Sequence, residues 1–161
     1  MCEWCELTWT EECNFVFNQI KSKMTSKPIL QISNLDKTFT VQTDASNKAL
    51  GAVLMQEHDG DLLPCMYASR KLLPREVNYA IIEKECLAIV FALSTFSKYL
   101  IMKPFIIQSD HRPLSFLQQN RSKNSRLTRW SLTLQQYMFT VQHIKGINNV
   151  ISDLLCRSYD G

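Results

Sequence analysis

Three aspartates stand where an acidic residue is unusual. Asp44 ends an alternating segment, Asp110 ends an apolar segment, and Asp153 lies inside a short helical segment near the C-terminus. In a mixed sheet the strands that end at Asp44 and Asp110 can be neighbours, which would place both at one edge. Clustered, partly buried carboxylates repel one another, and hard divalent cations such as Mg²⁺ or Mn²⁺ neutralise them. The positions therefore predict a metal site.

A long apolar helix in the middle of the chain offers two candidates for a further ligand. Glu85 has apolar residues at helical neighbour spacing, and the neighbours of Glu83 are hardly more polar. Helical periodicity alone therefore leaves both glutamates open.

The elements that would position these acids follow from hydrophobic periodicity and turn signals. The predicted strands span 38–44, 49–57, 62–70, 104–110 and 138–145. The predicted helices span Thr8–Met24, Tyr79–Tyr99, 112–119, 125–136 and a terminal segment from Val150. A capping box from Thr8 to Glu11 begins the first helix. After that helix the order is βββαβααβα, which is typical of a mixed sheet with helices packed on it.

The composition is that of an ordinary globular protein, with 161 residues of which 45% are hydrophobic. No apolar run approaches the roughly 18–20 residues of a membrane span. The N-terminal residues do not follow the pattern of a secretory signal, so we expect an intracellular location, cytoplasmic or nuclear. Among six cysteines only Cys2 and Cys5 form a C-x-x-C pair, and we expect the thiols to be structural.

Positive charge is concentrated in the C-terminal third. No acidic residue lies between Asp110 and Asp153, although the net charge of the chain is only +3. This interval indicates a polyanionic partner, whereas Trp130 within it is expected to be core. The basic residues of the interval are Arg112, Arg121, Lys123, Arg126, Arg129 and Lys145. Weaker candidates for nucleic-acid contact are Ser69, Arg70, Asn78 and Tyr79.

An ordered set of motifs covers nearly the whole chain. It comprises TDAS (43–46), GAVLMQ (51–56), YASRKL (67–72), EVNYAIIEKECLAIV (76–90), SDHRPL (109–114), SRLTRW (125–130) and NVISDLLCR (149–157). Together these motifs resemble the ribonuclease H domain of gypsy-type LTR-retrotransposon reverse transcriptases. Residues 1–37 are similar to the connecting segment upstream of that domain, so we expect a connecting segment at 1–37 and a ribonuclease H-like domain at 38–161.

The resemblance implies an α/β ribonuclease H-like fold, a five-stranded mixed sheet with three antiparallel strands and then two parallel ones, flanked by helices. It also implies a D-E-D-D centre that binds two Mg²⁺ or Mn²⁺ ions. The ligands carried over by motif are Asp44, Glu85, Asp110 and Asp153, which favours Glu85 over Glu83. Two cations held by four carboxylates suit phosphodiester hydrolysis, which depends mainly on positioning and electrostatics.

The expected function is hydrolysis of the RNA strand of RNA–DNA hybrids, with a reverse transcriptase polymerase domain as partner in cis and no membrane partner. The alternative is a catalytically weak or inactive module that binds nucleic acid, and the four-ligand set argues against a third possibility, a strand-transfer enzyme. Ala49, Ser109, Ser152 and Cys156 depart from the family pattern, and none of them removes a ligand.

Overall fold

The computed structural model describes residues 10–12, 14–16, 18–19, 30–110, 113–120 and 125–157. Cys2 and Cys5 lie outside these residues, as do Thr8 and the second half of the first predicted helix. The described residues from 11 to 19 are helical, and the N–H of Asn14 donates to the carbonyl of Thr10 at 3.1 Å.

Five strands form one mixed sheet, as the sequence predicts. They are β1 (Phe39–Ala45), β2 (Ala49–His58), β3 (Asp61–Lys71), β4 (Phe105–Ser109) and β5 (Phe139–His143). Their order across the sheet is β3-β2-β1-β4-β5. The first three strands are antiparallel, whereas β4 runs parallel to β1 and β5 parallel to β4. This topology confirms the predicted arrangement and makes β1 the central strand.

The helices α1 (Pro74–Val77), α2 (Ile81–Thr95) and α3 (Ser97–Leu100) connect β3 to β4. The sequence predicted one helix over roughly Tyr79 to Tyr99, and the structure divides this range at Phe96 into α2 and α3. Ala80 is the N-cap, because its N–H donates to the Glu83 side chain at 3.2 Å. Phe96 interrupts the helix with φ −95° and ψ 12°, and its ring is fully buried.

The later helices are α4 (Pro113–Asn120), α5 (Ser125–Leu134) and α6 (Val150–Arg157), with a short 3₁₀ turn at Gly146–Asn148. The core lies between the sheet and α2, and includes Phe39, Leu54, Ile89 and Ile107. Trp130 is buried in the same core, which confirms its predicted role. Within the described ranges, no helix is long and apolar enough to cross a membrane.

Candidate metal centre

Three of the predicted acids meet at the C-terminal ends of β1 and β4. Asp44, Glu85 and Asp110 each bring a carboxylate oxygen to within 4.8 Å of the other two. Asp44 is 8% exposed and Glu85 only 1%, whereas Asp110 is half-buried. The cluster therefore lies at the margin of the core, with one side turned towards solvent.

The sheet register explains why two distant aspartates become neighbours. In the parallel pairing of β1 with β4, Gln42 lies opposite Gln108. Asp44 and Asp110 each follow two residues later and so leave the same end of adjacent strands. Glu85 reaches them from α2, which packs against β1 and β2. Three elements that the core fixes thus hold the three carboxylates.

Ionisation of all three carboxylates at once is electrostatically unfavourable. Burial, followed by the charges of Asp44 and Asp110, raises the pKa of Glu85 from 4.5 to about 9. Burial is also the largest cause of the raised pKa of Asp44, with Asp110 and Asp153 contributing. Converging carboxylate oxygens of this kind are the ligands that Mg²⁺ and Mn²⁺ prefer. The donor set fits a hard divalent cation.

The fourth predicted acid, Asp153, belongs to a second group that shares Asp44. Asp44, Asp153 and Cys156 have ligand atoms within 4.8 Å of one another. The Cys156 thiol donates to Asp44 Oδ2 at 2.9 Å, and Asp153 accepts a hydrogen bond from Arg157 Nε at 2.5 Å. Burial and then the Asp44 carboxylate raise the pKa of the Cys156 thiol, which keeps it protonated. The sequence marked Cys156 only as a departure, because no periodicity shows that its thiol faces Asp44.

Close backbone contact places α6, and with it Asp153 and Cys156, against the sheet. A Cβ at Gly51 would lie 2.3 Å from the Ser152 carbonyl oxygen, so only glycine allows this approach. The Asn149 amide donates to the Thr43 carbonyl at 3.0 Å and accepts from the Ser152 hydroxyl at 2.8 Å. The Ser46 hydroxyl donates to the Cys156 carbonyl at 2.8 Å.

The structure separates the two glutamates that periodicity left open. Glu83 forms an ion pair with Arg126, with an Oε1–Nη2 distance of 2.6 Å, and it also caps α2 at Ala80. Among the described residues, it is Glu85 that joins Asp44 and Asp110. Glu83 therefore lies in a stabilising contact between α2 and α5.

Three of the predicted nucleic-acid contacts, Arg70, Tyr79 and Arg126, are engaged within the protein. Arg70 donates to both carboxylate oxygens of Glu76, at 2.6 and 3.2 Å, and its guanidinium lies 5.4 Å from the centre of the Phe91 ring. Burial alone would raise the pKa of Glu76, but hydrogen bonds from Arg70 and from the Leu73 N–H lower it. Arg70 therefore has little freedom to contact a phosphate.

Arg126 is held in a similar way. Its guanidinium stacks 3.9 Å from the centre of the Tyr79 ring, in addition to its ion pair with Glu83. The other predicted contacts are more open: Asn78 and Arg129 are exposed and Ser69 is half-buried. Arg112, Arg121 and Lys123 lie outside the described residues.

Comparison with known proteins gives one consistent picture. The family model of an RNase H-like domain found in reverse transcriptase matches residues 34–137. The retrovirus-related Pol polyprotein from transposon 412 of Drosophila melanogaster is 42% identical over 149 residues, which are 92% of this chain but 12% of that polyprotein. The chain therefore spans only a small part of this relative.

Two solved structures show a similar fold at low sequence identity. A foamy viral protease-reverse transcriptase in complex with dsDNA has a TM-score of 0.63 and 20% identity, over 86% of this chain and 30% of the other. LC11-RNase H1 in complex with an RNA/DNA hybrid has a TM-score of 0.55 and 16% identity, over 73% of this chain and 93% of the other.

Proposed function

Since this chain belongs to the family of RNase H-like domains found in reverse transcriptases, we propose that it is a metal-dependent endonuclease that hydrolyses the RNA strand of RNA–DNA hybrids. The observation that carries the proposal is the convergence of Asp44, Glu85 and Asp110 within 4.8 Å at the C-terminal ends of β1 and β4. A hybrid is the ligand named for the similar RNase H1 structure, and it is proposed here as the substrate.

Asp44, Glu85, Asp110 and Asp153 would hold two Mg²⁺ or Mn²⁺ ions. When bound, such ions supply activation of a water molecule and stabilisation of the charge that develops on the phosphate and the leaving oxygen. Glu85 would orient the attacking water on the RNA side. The thiol of Cys156 restrains Asp44 through its hydrogen bond at 2.9 Å, and Asn149 fixes the end of β1 on which Asp44 stands.

The wider setting of the domain is part of the proposal. We place the nuclease domain at 38–161 and a connecting segment at 1–37, in cis with a polymerase domain and inside the cell. Residues 31–37 contact the sheet, since the N–H of Gln31 donates to the Pro64 carbonyl at 2.7 Å and that of Asn34 to Gln56 Oε1 at 2.8 Å. These contacts hold the described end of the connecting segment against the sheet.

A second candidate function is nucleic-acid binding without cleavage. The specific observation in its favour is the 2.5 Å ion pair between Arg157 and Asp153, which occupies the fourth predicted ligand. If this pair persists when cations are added, only the second oxygen of Asp153 is open to a cation, and we expect cleavage to be weak.

One assay separates the two functions. A labelled RNA–DNA hybrid is incubated with the chain in Mg²⁺, in Mn²⁺ and in EDTA, and we expect cleavage of the RNA strand only with a divalent cation. Glu85→Gln should abolish cleavage, whereas the matched variant Glu83→Gln, on the same helix, should retain it. Hybrid binding without cleavage under all three conditions would support the binding module and contradict the nuclease.

A further inference from the structure

An open pocket of about 410 Å³ lies beside the carboxylate centre. Two of its lining residues are sequence neighbours of the centre, because Ala45 follows Asp44 and Lys84 precedes Glu85. Its lining contains three cationic side chains and no acidic one. The lining residues are Ala45, Ser46, Asn47, Lys48, Ile81, Lys84 and Arg157.

Lys84 is the most unusual member of this lining. The residue is only 5% exposed, and its Nζ donates to the neutral amide oxygen of Asn47 at 3.1 Å. An ammonium group has three N–H donors, and removing it from water is costly unless an anion compensates the charge. Within the described part of the chain, the bond to Asn47 uses one of these donors. A bound anion would complete the environment of Lys84.

Two further cationic side chains, Lys48 and Arg157, line the pocket. Lys48 is exposed in the turn between β1 and β2. The Arg157 side chain is 68% exposed, and its Nε is bonded to Asp153. Arg157 therefore links the pocket to the acidic centre, because it borders the former and contacts a predicted ligand of the latter.

We propose that this pocket binds a backbone phosphate of the nucleic-acid strand that lies on the carboxylate centre, next to the phosphate that reacts. Lys84 is the buried anchor, Lys48 contributes at the rim, and Asn47 orients the Lys84 ammonium. A positive pocket directly beside a negative centre suits a polyanion whose phosphates repeat at short intervals. The inference rests on the proposed function, and it adds a site that sets the register of the strand.

The test measures binding separately from cleavage. A short fluorescein-labelled RNA–DNA hybrid is titrated with the full chain in EDTA, and anisotropy is followed at several salt concentrations. Lys84→Met should weaken binding roughly tenfold, the effect of one charge-assisted hydrogen bond. It should also reduce the slope of log K against log salt by about 1, the value expected for one lost phosphate contact.

Matched variants separate a phosphate contact from a structural role. Lys84→Arg retains the charge and should bind almost like the wild type. Lys48→Gln changes an exposed side chain, so the fold is kept, and it should show a smaller loss of the same kind. Lys98→Gln, in the exposed part of α3, removes one charge away from the pocket and should leave binding unchanged.

Clear results would overturn the inference. Wild-type affinity and salt slope in both Lys84→Met and Lys48→Gln would do so, even if Lys84→Met lowered the melting temperature. Absence of hybrid binding by the wild type would do so as well. If Lys84→Met does not fold, Lys48→Gln decides. Loss of binding in these variants, together with no cleavage by the wild type in Mg²⁺ or Mn²⁺, would sustain the pocket and reject the nuclease.

Discussion

The carboxylate centre has two halves that share Asp44 and differ in almost every other respect. In one half, called here the oxygen half, Glu85 and Asp110 meet Asp44 from α2 and from the end of β4, and all donor atoms are oxygen. In the other half, called here the sulfur half, Asp153 and Cys156 meet Asp44 from α6, and one donor atom is sulfur. The first half is built on the core, whereas the second depends on a short helix docked against the sheet.

The two halves also handle negative charge differently. In the oxygen half, burial raises the pKa of Glu85 to about 9, so that this carboxyl group keeps its proton at neutral pH when no metal is bound. In the sulfur half, the thiol of Cys156 and the guanidinium of Arg157 supply the compensating hydrogen bonds. The difference is that the sulfur half compensates part of its negative charge with hydrogen-bond donors of the protein, whereas the oxygen half is the part to which we propose that a cation binds.

The largest effect is expected from the residue that the halves share. Asp44→Asn should lower cleavage of a hybrid more than about 100-fold, since even the loss of an outer-shell partner costs about 10–100-fold. Asp153→Asn should cost less, because Asp153 is more exposed and is paired with Arg157. Steady-state cleavage with Mg²⁺ measures both variants. Equal losses would remove the distinction between the halves.

The dependence of the sulfur half on docking predicts a large structural effect at Gly51. Gly51→Ala places a methyl group against the Ser152 carbonyl, so α6 must shift. We expect a loss of about 1–3 kcal/mol in the free energy of unfolding, measured by urea denaturation. Amide hydrogen exchange should increase in α6 more than in β1. A uniform increase over the whole domain would contradict the separate docking of α6.

The oxygen half predicts how the stability of the metal-free domain depends on pH. Between pH 4.5 and about 9 the folded chain keeps a proton on Glu85 that the unfolded chain releases, so stability falls as pH rises through this range. Mg²⁺ should therefore raise the melting temperature more at pH 8 than at pH 5.5, because binding requires ionised carboxylates. Thermal melts of the wild type and Glu85→Gln test this.

Glu85→Gln is the control for the predicted fall in stability as pH rises. Without metal at pH 8 it should melt higher than the wild type and show a flatter pH dependence, because a neutral amide replaces the buried acid. A melting temperature of the wild type that rises from pH 5.5 to pH 8 without metal, and is matched by Glu85→Gln, would contradict the assignment.

The smallest effect is expected from the sulfur atom itself. Cys156→Ser preserves a donor to Asp44, so cleavage with Mg²⁺ should stay close to that of the wild type. A thiol ligand favours Zn²⁺ over Mg²⁺ and loses its proton when the metal binds, so the substitution should raise the Zn²⁺ concentration for half-inhibition on the order of tenfold. An unchanged inhibition curve would show that sulfur is no ligand.

Strand periodicity predicted the five strands and allowed Asp44 and Asp110 to meet, because the strands that end at them can be neighbours in a mixed sheet. The arrangement of three antiparallel strands followed by two parallel ones came from the resemblance of the motifs. The sequence did not predict the break at Phe96, since the flanking residues continue an apolar helical pattern. Nor did it predict that Arg70 and Arg126 pair with Glu76 and Glu83. Charge along the chain shows how many cations there are, but not which carboxylates fold against them.

The side-chain environment of Lys84 was equally inaccessible from the sequence. Lys84 stands beside Glu85 in a helix, a position that is usually solvated, and its burial depends on the turn that carries Asn47. The contact of Cys156 with Asp44 likewise joins residues 112 positions apart. Such long-range contacts follow from packing and not from local pattern.

The contact between Gly51 and Ser152 also has a consequence for the order in which the centre is assembled. The hairpin of β1 and β2 is local in sequence and can form early, whereas α6 must return from the far end of the chain. A nascent chain that lacks α6 would hold Asp44, Glu85 and Asp110 but not Asp153. Partial opening of α6 alone would recreate that state in the finished domain, so the centre can be interrupted without global unfolding.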